Sequence, residues 1–254
     1  MDQVLLWLCM VAFAAGFVDA IVGGGGLIQT PMALLLLPEY AVSVVIGTLK
    51  IPAFSGTGVA AAQYARRAMP PLQVLSWAVC PAFAAAFAGS WAQTLVPNDF
   101  MKPMLVVILA LLAVYTYTRK DFGLHRGITP SADKLRWYAL STGLVLGLYD
   151  GFIGPGAGIF LVLSFTMLMG YDMLHASAGA KLVNLATNLG SVCLFLLKGK
   201  ILWGIALPMA ICNAAGGWAG AHLAVRKGNR FIRSVFMVVV CATLLRLLYD
   251  VFLK

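Results

Sequence analysis

Four ionisable side chains stand inside otherwise apolar stretches of the sequence: Asp19, Lys50, Asp150 and Lys181. The acid-to-lysine spacing is 31 residues in both cases, and the second pair repeats the first at an offset of 131. An ionised group at the centre of a bilayer costs about 2.5–3.5 kcal/mol on insertion scales, so four of them need partners or water. Two acid–lysine pairs facing one internal cavity meet that need. In such a cavity the lysines suit anion binding, and Asp19 and Asp150 suit proton coupling or gating. The same four residues also read as structural ion pairs that staple a broken hairpin to the segment after it.

Each acid is followed by glycine. "GFVDAIVGGGGLIQTP" runs from Gly16 to Pro31, and "GPGAG" occupies Gly154 to Gly158. Glycine lets a chain reverse without Cβ clashes. The short helices expected from about Leu27 and Ile159 then present backbone N–H groups and the positive end of a helix dipole to an anion. Gly25, Gly26, Gly156 and Gly158 are therefore expected at a substrate site. Lys181, Asn184 and Asn188 fall at i, i+3 and i+7, one helical face. Ser177 lies four residues before Lys181. Amide donors beside a lysine suit an oxyanion. The first half has Ala53 and Thr57 where the second has the two asparagines, so the expected site is not symmetric. The substrate-binding set is Lys50, Lys181, Asn184, Asn188 and the four glycines. His175 reads as an interfacial, non-catalytic histidine, and Gly143, Gly147, Gly151, Gly216 and Gly220 read as helix-packing glycines in small-x3-small spacing.

These residues need elements to hold them. The 254-residue chain is 61% hydrophobic and 11% charged, with mean hydropathy +0.92. Spanning-length apolar runs recur throughout, so the fold class is an all-α polytopic membrane protein. The net charge of +9 sits in short loops, as membrane topology expects, and does not imply nucleic acid. At the 131 offset Gly16, Asp19, Gly23, Gly25, Tyr40, Lys50, Gly89, Asn98 and Phe100 all meet identical residues. Most of these matches are glycine or polar, so shared apolarity does not explain them.

The expected organisation is a transmembrane repeat over 1–123, a linker over 124–131 and a second repeat over 132–254. The first half divides into segments near 4–22, 27–37, 41–65, 71–95 and 103–118. The second divides near 135–153, 158–169, 172–197, 201–225 and 231–253. The second segment of each half, roughly 16 Å of helix in the first, is too short to span. It forms a glycine-broken or re-entrant hairpin with the segment before it. Backbone exposed at membrane depth is tolerated only inside protein or beside water. Three full spans per half then remain, about eight membrane segments in conventional counting. An odd number inverts the halves. Basic residues at Arg66, Arg67, the linker and Arg226 to Arg233 agree with a cytoplasmic linker, but discriminate little against parallel halves. Paired short segments at equivalent places are the usual pointer to a transporter site.

No H-E-x-x-H, G-x-S-x-G, C-x-x-C or G-K-[ST] after glycines occurs. No catalytic residue, metal or cofactor is expected, and the chain does not read as an enzyme. The five cysteines read as small buried hydrophobes. Arg246 stands in the last segment without a sequence-local partner.

The stretches "GFVDAIVGGGGLIQTP", "GTLKIPAFSGTG", "GLYDGFIGPGAGIFL", "YDMLHASAGAKLVNLATNLGS" and "GGWAGAHLAVRKGNRFIR" resemble the sulfite exporter TauE/SafE family of membrane permeases. The resemblance covers nearly the whole chain. It implies secondary transport of sulfite, a sulfonate or a related small organic anion, usually outward, by a multi-pass protein of the bacterial inner membrane. Coupling to protons is the expected mode. The expected partners are the small anionic substrate and membrane lipid, with a homo-oligomer compatible. One departure is Gly179, where a larger residue is frequent, which is expected to widen the site slightly. The competing readings are a non-transporting assembly or scaffold subunit of a membrane complex and a passive anion channel.

Overall fold

The computed structural model describes residues 2–101 and 130–252. The expected segment 103–118, most of the 119–136 polar stretch and the side chain of Arg246 lie outside the described residues. Within them the chain is helical. The first four helices are α1 (Asp2–Val22), α2 (Gly25–Leu36), α3 (Val42–Ala65) and α4 (Leu72–Leu95). After the undescribed stretch come α5 (Ala132–Phe152), α6 (Ala157–Met167), α7 (Met173–Leu197) and α8 (Trp203–Phe252). The bounds follow the 131-residue offset: 25–36 stands against 157–167, and 42–65 against 173–197. The expected break between 201–225 and 231–253 is a single residue, Gly228, at φ 71° and ψ −162° inside α8.

Four helices are long and apolar enough to cross a membrane among the described residues: Gln3–Val22, Val42–Ala65, Leu72–Leu95 and Met173–Leu197. α2 and α6, at 12 and 11 residues, are too short, as their length in sequence predicts. The outer surface is apolar rather than charged. Trp7, Trp91, Trp137, Trp203 and Trp218 are exposed, together with leucines such as Leu72 and Leu144. A water-soluble protein hides such rings, whereas a lipid-facing surface displays them. The protein is a membrane protein.

Small residues bring the helices into contact. Cβ atoms added at Gly143, Gly147 and Gly151 of α5 would strike the backbone of Ala78, Ala82 and Ala86 of α4. Gly216 and Gly220 of α8 meet the backbone of Phe13 and Phe17 of α1 in the same way. Packing is the observed role of all five glycines, and it substitutes for the hydrophobic effect that lipid does not supply between helices. The chief contacts join α1 to α8 and α5 to α4. Each half therefore lays its first helix on the other half's fourth.

Two matched asparagines have a local use. Asn98 Oδ1 accepts the Val42 N–H at 3.0 Å and Asn229 Oδ1 accepts the Leu174 N–H at 2.8 Å. They satisfy first-turn donors of α3 and α7, the helices that carry the two lysines. Such caps contribute about 1 kcal/mol each. Asp172 caps α7 as well, accepting from Leu174 and His175 N–H, and His175 Nδ1 lies 2.8 Å from Asp172 Oδ2. His175 belongs to this helix start.

Candidate functional site

Both first helices end on an acid and a glycine break. Asp19 is in the last turn of α1 and Asp150 in the last turn of α5. The chain then turns through Gly23 at φ 84°, and through Gly154 and Gly156 at φ 92° and 83°. A side chain in that left-handed region costs about 1–2 kcal/mol, which glycine avoids. The two breaks touch: a Cβ on Gly23 would collide with the backbone of Gly158, and one on Gly26 would come within 3.0 Å of Pro155 Cα. The short helices begin earlier than the sequence suggests, at Gly25 and Ala157 rather than near Leu27 and Ile159. Gly25, Gly26 and Gly158 are first-turn residues, and Gly156 is the cap before α6.

The ion pairs cross between the halves. Lys50 Nζ of α3 lies 3.0 Å from Asp150 Oδ1, and Lys181 Nζ of α7 lies 2.8 Å from Asp19 Oδ2. The lysine that follows each acid by 31 residues is thus not its partner. Lys50 also donates to the Asp150 carbonyl at 2.9 Å and to Asn188 Oδ1 at 3.4 Å, which occupies all three ammonium hydrogens. Asp19 receives two further donors, Thr57 Oγ1 and the Gly25 N–H, each at 3.4 Å. One helix N-terminal donor is therefore already engaged. Asp150 Oδ2, by contrast, is buried without a partner among the described residues. Asn188 Nδ2 donates to Asn184 Oδ1 at 2.8 Å, which joins the two asparagines of α7 into one unit.

These groups surround a cavity of about 70 Å³. A single water needs about 10–15 Å³ of such space, so the cavity accepts a few waters or a small anion and not a nucleotide. Its wall includes Asp19, Lys50, Asp150, Asn184, Asn188, Gly25, Gly26, Gly156 and Gly158. Of the sequence-selected substrate residues, Lys181 is the exception. It is 1% exposed and lies behind the wall, with Asp19 between it and the space. Gly179 is also off the wall. A Cβ there would meet the Phe165 ring at 2.5 Å, so it makes room for that ring and does not widen the cavity.

Sequence reasoning missed Gln29 and Asn213, which line the cavity from α2 and α8. The 131 offset sets them against Phe160 and Ala82, so a search for matched polar residues passes over them. The available signal was a lone amide in each of two apolar segments, since intramembrane polar residues are expensive.

The profile described as "Sulfite exporter TauE/SafE" matches residues 8–247. The chain belongs to that family. Among similar proteins, "Probable membrane transporter protein ORF9" of a Sinorhizobium species is 34% identical over 252 residues, 98% of this chain and 94% of the relative. "Probable membrane transporter protein YfcA" of Escherichia coli K12 is 32% identical over 250 residues, 96% and 89% of the two chains. A "Probable membrane transporter protein" of Haemophilus influenzae is 32% identical over 260 residues, 98% and 96%. The protein is a membrane transporter of the TauE/SafE family, and its buried charges and cavity are features of that transporter.

Proposed function

We propose that the protein is a secondary transporter that moves a small oxyanion, such as sulfite, a sulfonate or a related organic anion, outward across a bacterial inner membrane in a proton-coupled cycle. The observation that carries this reading is Lys50, a buried ammonium on the wall of a small cavity framed by two glycine breaks. When the cavity is empty, Asp150 and Asn188 hold Lys50. An arriving anion takes over acceptor places around the ammonium, and the freed Asp150 carboxylate then takes a proton, which links the two fluxes. Lys181 works at one remove, by holding Asp19 at the mouth of α2.

Heat protection of the purified protein, screened from sulfite to short sulfonates and carboxylates, identifies the anion. Titration of that anion is the decisive step. A buried charge-assisted hydrogen bond contributes about 1.5–3 kcal/mol, so Lys50→Ala should raise the dissociation constant roughly tenfold to over a hundredfold. Binding within about twofold of wild type, by folded Lys50→Ala protein, removes the anion from this lysine.

The same reading takes residues 1–123 and 132–254 as inverted copies joined by a cytoplasmic linker at 124–131. The reciprocal packing of α1 on α8 and α5 on α4 supports the duplication, and the two short helices support the odd number of crossings. Reporter fusions in the linker and after Lys254 are expected on opposite sides of the membrane. Reporters on one side would mean parallel halves.

A further inference from the structure

We propose that Gln29, held by Asn213, is the second anchor of the cavity, a neutral donor that distinguishes an oxyanion from an anion with no separate oxygens. The proposal rests on the anion-site reading above. Gln29 and Asn213 are 4% and 3% exposed and share the cavity wall with Lys50. Asn213 Nδ2 donates to Gln29 Oε1 at 3.0 Å, which leaves Gln29 Nε2 buried with no partner among the described residues. A buried amide nitrogen without an acceptor is costly, and native proteins keep few of them.

The surroundings of the pair show that the arrangement is built. Asn213 occupies space that two other helices vacate: a Cβ on Gly56 would fall on Asn213 Oδ1, and one on Gly16 on the Asn213 carbonyl. At the matched place in the other half, Ala82 packs against Gly147 with no polar group. Gln29 is likewise matched by Phe160. The amides are therefore present on one side only. Two glycines and a hydrogen bond fix the Gln29 carbonyl end, and the other end has no partner among the described residues. Oε1 and Nε2 turn together about one terminal torsion, so the hydrogen bond that holds Oε1 also holds Nε2 in place beside the cavity. Lys50 supplies charge, which any anion satisfies. A neutral donor at a second position is met best by a second, separately placed acceptor atom, which oxyanions have and halides lack.

The full-length protein in detergent is titrated with sulfite and, separately, with bromide. Gln29→Met should raise the dissociation constant for sulfite about tenfold or more and leave that for bromide within about twofold. Asn213→Ser, which loosens the amide without removing it, should shift the sulfite-to-bromide ratio in the same direction by a smaller factor. The second variant also keeps the test open where the first accumulates poorly. An unchanged ratio in both variants overturns the role of Gln29, even where Lys50→Ala weakens binding of both anions. If neither these two anions nor any sulfonate or carboxylate of the screen binds the wild type, the anion reading falls and this inference falls with it.

Discussion

Asp19→Ala should destabilise the protein by about 3–5 kcal/mol, the usual result of stranding one partner of a buried ion pair. The stranded group is Lys181, 1% exposed and bonded to Asp19 at 2.8 Å. Adding Lys181→Met should recover most of the loss, because no charge of that pair is then left unpaired. Lys181→Met alone should be milder than Asp19→Ala. Asp19 then keeps Thr57 and the Gly25 N–H as donors and retains partial access to the cavity. The informative control is Asp19→Ala with Lys50→Met. That combination leaves Lys181 and Asp150 both unpaired, and stability should fall below either single variant. Unfolding in one detergent, followed by temperature or denaturant, orders the four proteins. Recovery by Lys50→Met in place of Lys181→Met would refute the crossed pairing.

Gly23→Ala should be the most damaging single methyl in the described chain. Alanine at φ 84° costs about 1–2 kcal/mol in backbone strain. The added carbon also strikes the Gly158 backbone, and overpacking of this kind costs about 1–3 kcal/mol more. Gly199→Ala isolates the first contribution, because φ is 62° there and nothing lies within 4 Å of the added carbon. The two variants should therefore differ in unfolding midpoint, with Gly23→Ala the lower, and only Gly23→Ala should also lose anion protection. Equal midpoints would mean that the breaks do not press on one another.

The four charges inside apolar helices, the two glycine breaks and the short helices were all legible in the sequence, because each is a violation of apolarity at a fixed offset. The partner assignment was not. Lys50 and Lys181 stand at the same distance from the acids of their own halves, and spacing along a chain carries no information on which half supplies the neighbour. The place of Lys181 behind Asp19 depends on how α7 is rotated, which its i, i+3, i+7 pattern leaves open. Gln29 and Asn213 escaped because the duplication drew attention to what is equal in the halves, whereas their chemistry lies in a difference. Asn98 and Asn229 were visible as a matched pair. Their capping of helices 56 and 55 residues earlier in the chain is a tertiary contact that no local pattern announces.

The lodging of α1 against α8 has a consequence for the birth of the molecule. α1 ends at Val22 and α8 begins at Trp203. At about 5–20 residues per second, the ribosome needs on the order of 10–40 s between them. Throughout that interval the opening helix has α2 and α3 beside it but lacks its principal neighbour, and Lys181, the counter-charge of Asp19, has yet to be made or has only just emerged. The nascent protein must therefore hold an acid in its first helix on the Gly25 N–H and the Thr57 hydroxyl alone until Lys181 arrives, and a chain that stops before Lys181 carries that carboxylate without its cation.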